Sequence, residues 1–212
     1  MKFTESMLRL YAVTDRSWVG TQTLSEQVEA ALRGGVTCVQ LREKELNDTD
    51  FLAEARELKA LCARYGVPLI INDNVELALE VDADGVHVGQ EDMDARDVRG
   101  LIGPDKILGV TAKTLEQAQK AQQAGANYLG SGAVFGSTTK LNARPMTKEL
   151  LQSICQSVTI PVVAIGGIHR GNIAFLEGTG IRGAAVVSGI FAAADIEEEC
   201  FRLRAEIDRI VK

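Results

Sequence analysis

Short apolar, β-branched runs alternate with longer stretches of helical period along this chain. The runs predict strands over Leu8–Thr14, Thr37–Arg42, Leu69–Asn72, Gly85–Val88, Ile107–Thr111, Tyr128–Ser131, Val162–Ile165 and Ala184–Ser188. The stretches between them predict helices near 23–33, 49–65, 74–81, 94–102, 115–124, 146–157, 170–178 and 195–211. Within the second of these, Leu58, Leu61 and Cys62 share one stripe. Thr49 reads as its N-cap, and Gly66 as its stop before Val67-Pro68 opens a strand. Helix, glycine, then strand recurs at Gly34-Gly35, Gly66, Gly125 and Gly180. Repeated βα units imply a parallel sheet. Eight of them, with no linker between, predict one α/β domain over residues 1–212, a closed (β/α)8 TIM barrel. A doubly wound open sheet is the alternative.

Composition narrows the chemistry. Hydrophobic residues make up 46% of the 212 positions and aromatics only 5%, so the core must be aliphatic. The formal charge is -6, with no clustered Lys/Arg face, which argues against nucleic acid as a partner. An acidic chain that binds an anion must do so with a few placed cations or a metal. Cys38, Cys62, Cys155 and Cys200 are widely spaced and show no zinc-ligand pattern. They read as thiols of a reducing compartment. No apolar run reaches membrane-spanning length and no leader pattern is visible, so the expectation is a cytoplasmic enzyme that binds no membrane.

The informative polar residues stand where apolar runs end, and in barrels the active site is built there. Because side chains alternate across a strand, Gln40, Arg42 and Lys44 of Val39-Gln40-Leu41-Arg42-Glu43-Lys44 share the face opposite Val39 and Leu41. Val39 and Leu41 are expected to pack on helices, and the polar set to face the barrel interior. An internal salt bridge of Arg42 is the competing account. Asn72-Asp73 and Asp92 end the third and fourth runs. Each could merely cap the following helix. Together they could hold Mg2+, which enzymes bind with one or two carboxylates plus phosphate oxygens. Ser137-Thr138-Thr139-Lys140 could wrap a phosphate, although it is not a Walker A loop. Gly166-Gly167 and Val187-Ser188-Gly189 offer backbone amides at the ends of the seventh and eighth strands, where barrels commonly hold phosphate. His87 reads as a packed, hydrogen-bonded group and His169 as a surface or cap residue. No Ser-His-Asp or Cys-His arrangement is recoverable, which argues against a covalent hydrolase.

Tyr11-Ala12-Val13-Thr14-Asp15, Gln40 through Lys44, Ile71-Asn72-Asp73, Gly85 through Asp92, Gly132 through Lys140, Ala164 through Ile168 and Val187-Ser188 resemble the thiamine phosphate synthase family. The resemblance runs from about residue 8 to 192. It implies a transferase of the alkyl or aryl type. Such an enzyme condenses 4-amino-2-methyl-5-(diphosphooxymethyl)pyrimidine with a thiazole phosphate in thiamine biosynthesis, releasing diphosphate with Mg2+ as cofactor. By that resemblance Gln40, Leu41, Arg42, Glu43, Lys44, Asn72 and Thr111 would bind the pyrimidine diphosphate. Asp73 and Asp92 would hold the metal. Ser137, Thr138 and Thr139 would take the thiazole phosphate substrate, and Lys140 the diphosphate. Gly167, Val187 and Ser188 would hold the thiazole phosphate group. Arg42, Lys44, Lys140 and Thr111 would act in catalysis.

Four positions depart from the family pattern. Thr111 stands where Ser is usual, Thr111-Ala112-Lys113-Thr114 replaces Ser-Thr-His-Thr, and Gly136 replaces Pro. They bear on substrate affinity more than on reaction type. The alternatives are a thiazole tautomerase-like paralogue, a phosphosugar isomerase barrel and a non-catalytic thiazole phosphate binder. A homo-oligomer is left open.

Overall fold

The computed structural model describes residues 2–136 and 145–211. Eight parallel strands close into a barrel in sequence order. They are β1 (Leu10–Val13), β2 (Cys38–Leu41), β3 (Leu69–Asn72), β4 (Gly85–Val88), β5 (Ile107–Thr111), β6 (Tyr128–Gly132), β7 (Val162–Ile165) and β8 (Gly183–Val186). The helices are α1 (Leu24–Arg33), α2 (Asp48–Tyr65), α3 (Val75–Glu80), α4 (Ala95–Ile102), α5 (Leu115–Gln123), α6 (Lys148–Ser157), α7 (Ser188–Phe191) and α8 (Ile196–Ile210). Closure by β1 pairing with β8 excludes the open sheet. No helix among the described residues is long and apolar enough to cross a membrane.

The alternation of side chains sorts the core into two layers. Val39, Leu41, Leu69, Ile71, Val86, Val88, Leu108 and Val110 face outward and pack with Leu58, Leu61 and Cys62 of α2 and with the other helices. Tyr11, Val13, Cys38, Ile70, Ile107, Tyr128, Val163 and Ala185 fill the barrel. Phe3, Met7 and Leu8 close its N-terminal end. The expected split of Val39 and Leu41 from Gln40 is therefore present.

Local chemistry corrects several boundaries. The first strand starts at Leu10, because Glu5–Leu8 forms a 3-10 turn. The cap of α2 is Asn47, whose side chain accepts from the Asp50 N–H, and Thr49 lies inside the helix. Gly66 ends α2 in the left-handed region, at φ 66°, as its position suggested. The helix expected over 170–178 is only a 3-10 turn at Ile173–Leu176. Gly171 and Gly178 bracket that segment, and Gly178 sits at φ 79°, outside the helical region. The eighth strand stops at Val186, and Ser188 instead opens the short α7.

Candidate active site

At the C-terminal end of the barrel, β1 and β2 are tied together first. The Arg42 N–H donates to Thr14 Oγ1 at 3.0 Å, so the backbone leaves β2 in a fixed direction. Arg42 Nη1 stands 3.6 Å from Asp15 Oδ2, with both side chains largely enclosed. The internal ion pair expected as the alternative for Arg42 is thus present. A neighbouring Asp also holds the guanidinium at the mouth.

Glu43 shapes the next turn. Its Oε1 accepts from the N–H groups of Lys44 and Glu45 at 2.7 and 2.8 Å, and its Oε2 from Arg16 Nε at 2.7 Å. Burial alone would raise this carboxyl. The donated hydrogen bonds outweigh burial and hold it below the usual carboxylate range. Arg16 also makes a two-oxygen contact with Glu54 of α2. Burial, with Glu43 and Glu57 nearby, lifts the Glu54 carboxyl above its ordinary value. The Glu43 carboxylate is therefore engaged within the protein. Leu41, at 0% exposure in the outer core, can offer a ligand only backbone.

β3 and β4 supply the carboxylates. Lys44 Nζ donates to Asp73 Oδ2 at 2.7 Å. Asn72 Nδ2 donates to Asp73 Oδ1 at 2.7 Å. Asp73 adopts φ 62°, a conformation uncommon for a residue other than glycine and enriched at functional sites. Burial raises its carboxyl and the adjacent Asp92 raises it further, against the pull of Lys44. Neither acid caps a helix. Asn74 caps α3 and Asp94 caps α4, while Asp92 Oδ2 accepts from the Gly89 N–H at 2.7 Å. The capping account for Asp73 and Asp92 thus falls to their neighbours. Two adjacent carboxylates, Asp73 partly buried and Asp92 exposed, are a hard-oxygen donor set that fits Mg2+.

Within the barrel, Gln40 is 5% exposed and its Nε2 donates to Tyr11 OH at 2.7 Å. His87 is buried, with Nδ1 at 3.0 Å from Tyr128 OH and Nε2 at 3.0 Å from Thr111 Oγ1. The packed role expected for His87 holds, and it touches a candidate site residue.

On the far side of the mouth the materials change. Gly166 and Gly167 have φ of 103° and 65°. A Cβ on Gly167 would lie 2.9 Å from the Phe135 carbonyl, and one on Gly166 would collide with Ala133. These glycines make room for the chain that follows β6, not for an open cradle. The Phe135 N–H donates to the Gly166 carbonyl at 3.0 Å, joining the two segments. Asn172 bridges the same turn, donating from Nδ2 to the Gly167 carbonyl and accepting from the His169 N–H. His169 Nδ1 accepts from the Gly171 N–H, so this exposed ring shapes the turn. Val187 bends at φ -107°, ψ -92° into α7, whose first amides lack intrahelical acceptors. A Cβ on Gly189 would collide with the Ile168 carbonyl, so the turn after β7 adjoins the start of this short extra helix, where barrels bind phosphate. Ser137, Thr138, Thr139 and Lys140 lie outside the described residues.

The sequence model for thiamine monophosphate synthase matches residues 10–190, nearly the whole barrel. The chain belongs to the thiamine monophosphate synthase family. It is 48% identical to the thiamine-phosphate synthase of Clostridium botulinum over 201 residues, covering 95% of this chain and 94% of that one. It is 50% identical to the thiamine-phosphate synthase of Ruminiclostridium cellulolyticum, covering 92% of each. Among solved structures, the thiamine phosphate pyrophosphorylase of Pyrococcus furiosus superposes with a TM-score of 0.90 at 36% identity, over 98% of this chain and 99% of that one. A member of the thiamine monophosphate synthase family with this likeness is a transferase.

Residues without an assigned role in the sequence reading also belong to this site. Thr14, Asp15 and Arg16 follow β1 as Arg42 to Lys44 follow β2, so the rule of polar residues at strand ends could have found them. Tyr11 and Tyr128 carry no such signal, because a tyrosine in an apolar run reads as core. Asn172 is hidden for another reason: its task depends on the turn it closes.

Proposed function

We propose that this chain joins an aminopyrimidine methyl diphosphate to a thiazole phosphate, forming thiamine phosphate and diphosphate. The observation that carries this is the convergence of Arg42, Lys44, Asp73 and Asp92 at one side of the barrel mouth. The C–O bond of the diphosphooxymethyl group breaks, and its electron pair leaves with diphosphate. The ring and its amino group stabilise the resulting methylene cation. The thiazole nitrogen then gives its lone pair to that carbon, forming the C–N bond. No proton need be removed, so the site needs no general base.

The chain's own residues bind, orient and neutralise. Arg42 and Lys44 take diphosphate oxygens, with Asn72 and the backbone around Leu41 and Glu43 fixing their approach. Their fixed positive charge counts most where charge develops on the leaving group. Asp73 and Asp92 would hold Mg2+, which when bound supplies Lewis-acid neutralisation of the departing diphosphate. Gln40 and Thr111 meet the pyrimidine. Gly167, Val187 and Ser188 bind the thiazole phosphate group through backbone amides. Ser137, Thr138, Thr139 and Lys140 complete the set by sequence alone. The reaction is assigned to the cytoplasm, in keeping with four thiols that make no disulfide.

Diphosphate release tests this reading. It should require both substrates and divalent metal, and stop with EDTA. Thiazole phosphate binding with no diphosphate release under any metal condition would shift the function to the tautomerase or binder alternative.

A further inference from the structure

A hydrogen-bonded chain crosses the barrel interior beneath the mouth. It starts at Gln40 Nε2, which donates to Tyr11 OH at 2.7 Å. Tyr11 OH lies 2.8 Å from Tyr128 OH. Tyr128 OH lies 3.0 Å from His87 Nδ1, and His87 Nε2 lies 3.0 Å from Thr111 Oγ1. Both tyrosines are at most 1% exposed. The chain thus runs from β2 through β1, β6 and β4 to β5, with a proposed substrate contact at each end.

The backbone is cut to fit it. Gly109 pairs with both His87 and Tyr128 across the sheet. A Cβ there would collide with the Tyr128 hydroxyl and with His87 Nδ1. A Cβ on Gly130 would press on the His87 ring at 3.1 Å. The inner face of β5 and β6 therefore gives up side chains to admit these polar groups.

Chemistry gives the chain a direction. An amide nitrogen can only donate, so Tyr11 oxygen accepts from Gln40. The Tyr11 proton then has two neighbours, the Tyr128 oxygen and the Cys38 thiol. Sulfur is the weaker acceptor, so the proton goes to Tyr128. Burial raises both phenols well above their ordinary value, so both keep their protons. Tyr128, already an acceptor, donates to His87 Nδ1. The imidazole must then carry its proton on Nε2 and donate it to Thr111 Oγ1. The Thr111 proton is left to point into the mouth, and at the other end the Gln40 oxygen, an acceptor, is left for a ligand beside the second amide hydrogen.

We propose that Tyr11, Tyr128 and His87 are positioning residues that present Thr111 as a hydrogen-bond donor and Gln40 as an acceptor. That pair matches a heteroaromatic ring with an acceptor nitrogen and an exocyclic amine, as in an aminopyrimidine. The assignment of these two contacts to the pyrimidine substrate rests on the synthase reading above.

Two measurements test it. The first needs no turnover. Long-range 1H–15N correlation spectra of the labelled protein report the tautomer of each of its two histidines, and His169→Gln identifies the His87 signals. The expected result is a neutral Nε2–H ring whose Nδ1 shift moves in Tyr128→Phe. An Nδ1–H ring, or a charged one, overturns the direction. The second is kinetic. Tyr128→Phe should raise KM for the pyrimidine diphosphate roughly five- to tenfold, the effect of one lost hydrogen bond, while KM for the thiazole phosphate stays within about twofold. In a Thr111→Val background the same change should add less than about twofold. Equal effects on both substrates, or full additivity with Thr111→Val, mean a purely structural role. If the unsubstituted protein makes no diphosphate, the synthase reading fails while the spectra still decide the chain.

Discussion

The two halves of the barrel mouth are built from different materials. Around β1 to β4 the candidate groups are charged side chains, each held by another: Arg42 by Asp15, Lys44 by Asp73, Glu43 by Arg16. Around β7 and β8 the candidate groups are backbone amides, at the glycine turn after β7 and at the bend of Val187 into α7. Under the proposed reaction, the contrast suits two kinds of anion. A leaving diphosphate gains charge as its bond breaks, and fixed cations and a metal respond most strongly to that change. A phosphate that only anchors its substrate gains nothing, and neutral donors at a helix start suffice.

The sharpest break of this comparison is Asp92→Ala. It should cut turnover by about two or more orders of magnitude, the several kcal/mol of a lost metal contribution, while thiazole phosphate binding by calorimetry stays nearly intact. Unchanged turnover would remove the metal from the charged half. Next is Lys44→Ala, which should cost roughly ten- to a hundredfold in kcat/KM for the pyrimidine diphosphate, the range for a hydrogen bond to a charged group. A matching loss for the thiazole phosphate would erase the division of labour.

The converse substitution is Gly167→Ala. It forces a side chain to φ 65° and toward the Phe135 carbonyl. About 1–3 kcal/mol of stability should be lost in thermal or denaturant unfolding, together with weaker thiazole phosphate binding. Affinity for the pyrimidine diphosphate should be preserved.

The smallest effect is expected from Glu43→Gln. The Lys44 and Glu45 amides keep an oxygen acceptor, and the ion pair with Arg16 is lost. KM for the pyrimidine diphosphate should rise a few-fold, because Glu43 shapes the turn. A loss as large as that of Lys44→Ala would make Glu43 a direct ligand. The depressed Glu43 carboxyl sets a sign for the pH dependence as well. Its contribution is present above the usual carboxylate range and fades as pH falls through its lowered folded value. Unfolding curves should therefore show a smaller acid-side stability loss in Glu43→Gln than in the unsubstituted chain.

Most of the fold was legible because period is local. The strands β3, β4, β5 and β7 begin and end where the apolar runs do. The misreadings fell where a few residues were asked to decide between competing turns, as at Thr49 against Asn47, or at 170–178 between two glycines. The candidate site was legible at strand ends, because charged residues that follow several apolar runs of one barrel are carried to the same mouth. It was not legible inside the barrel, because Tyr11 and Tyr128 look like core in any linear pattern.

The sequence by itself determined the βα alternation, the aliphatic core and the positions of the polar residues that close each strand. Alternation along a strand also sent Gln40 inward and Leu41 outward. Only the tertiary structure decided which of those residues meet. Asp73 and Asp92 are 19 positions apart in the chain, and they adjoin because β3 and β4 pair in parallel. Tyr11 and Tyr128 are 117 positions apart, and they touch because closing the barrel turns opposite strands toward one axis. A hydrogen bond depends on distance and direction in space, and no periodicity along a chain encodes that for residues from different strands.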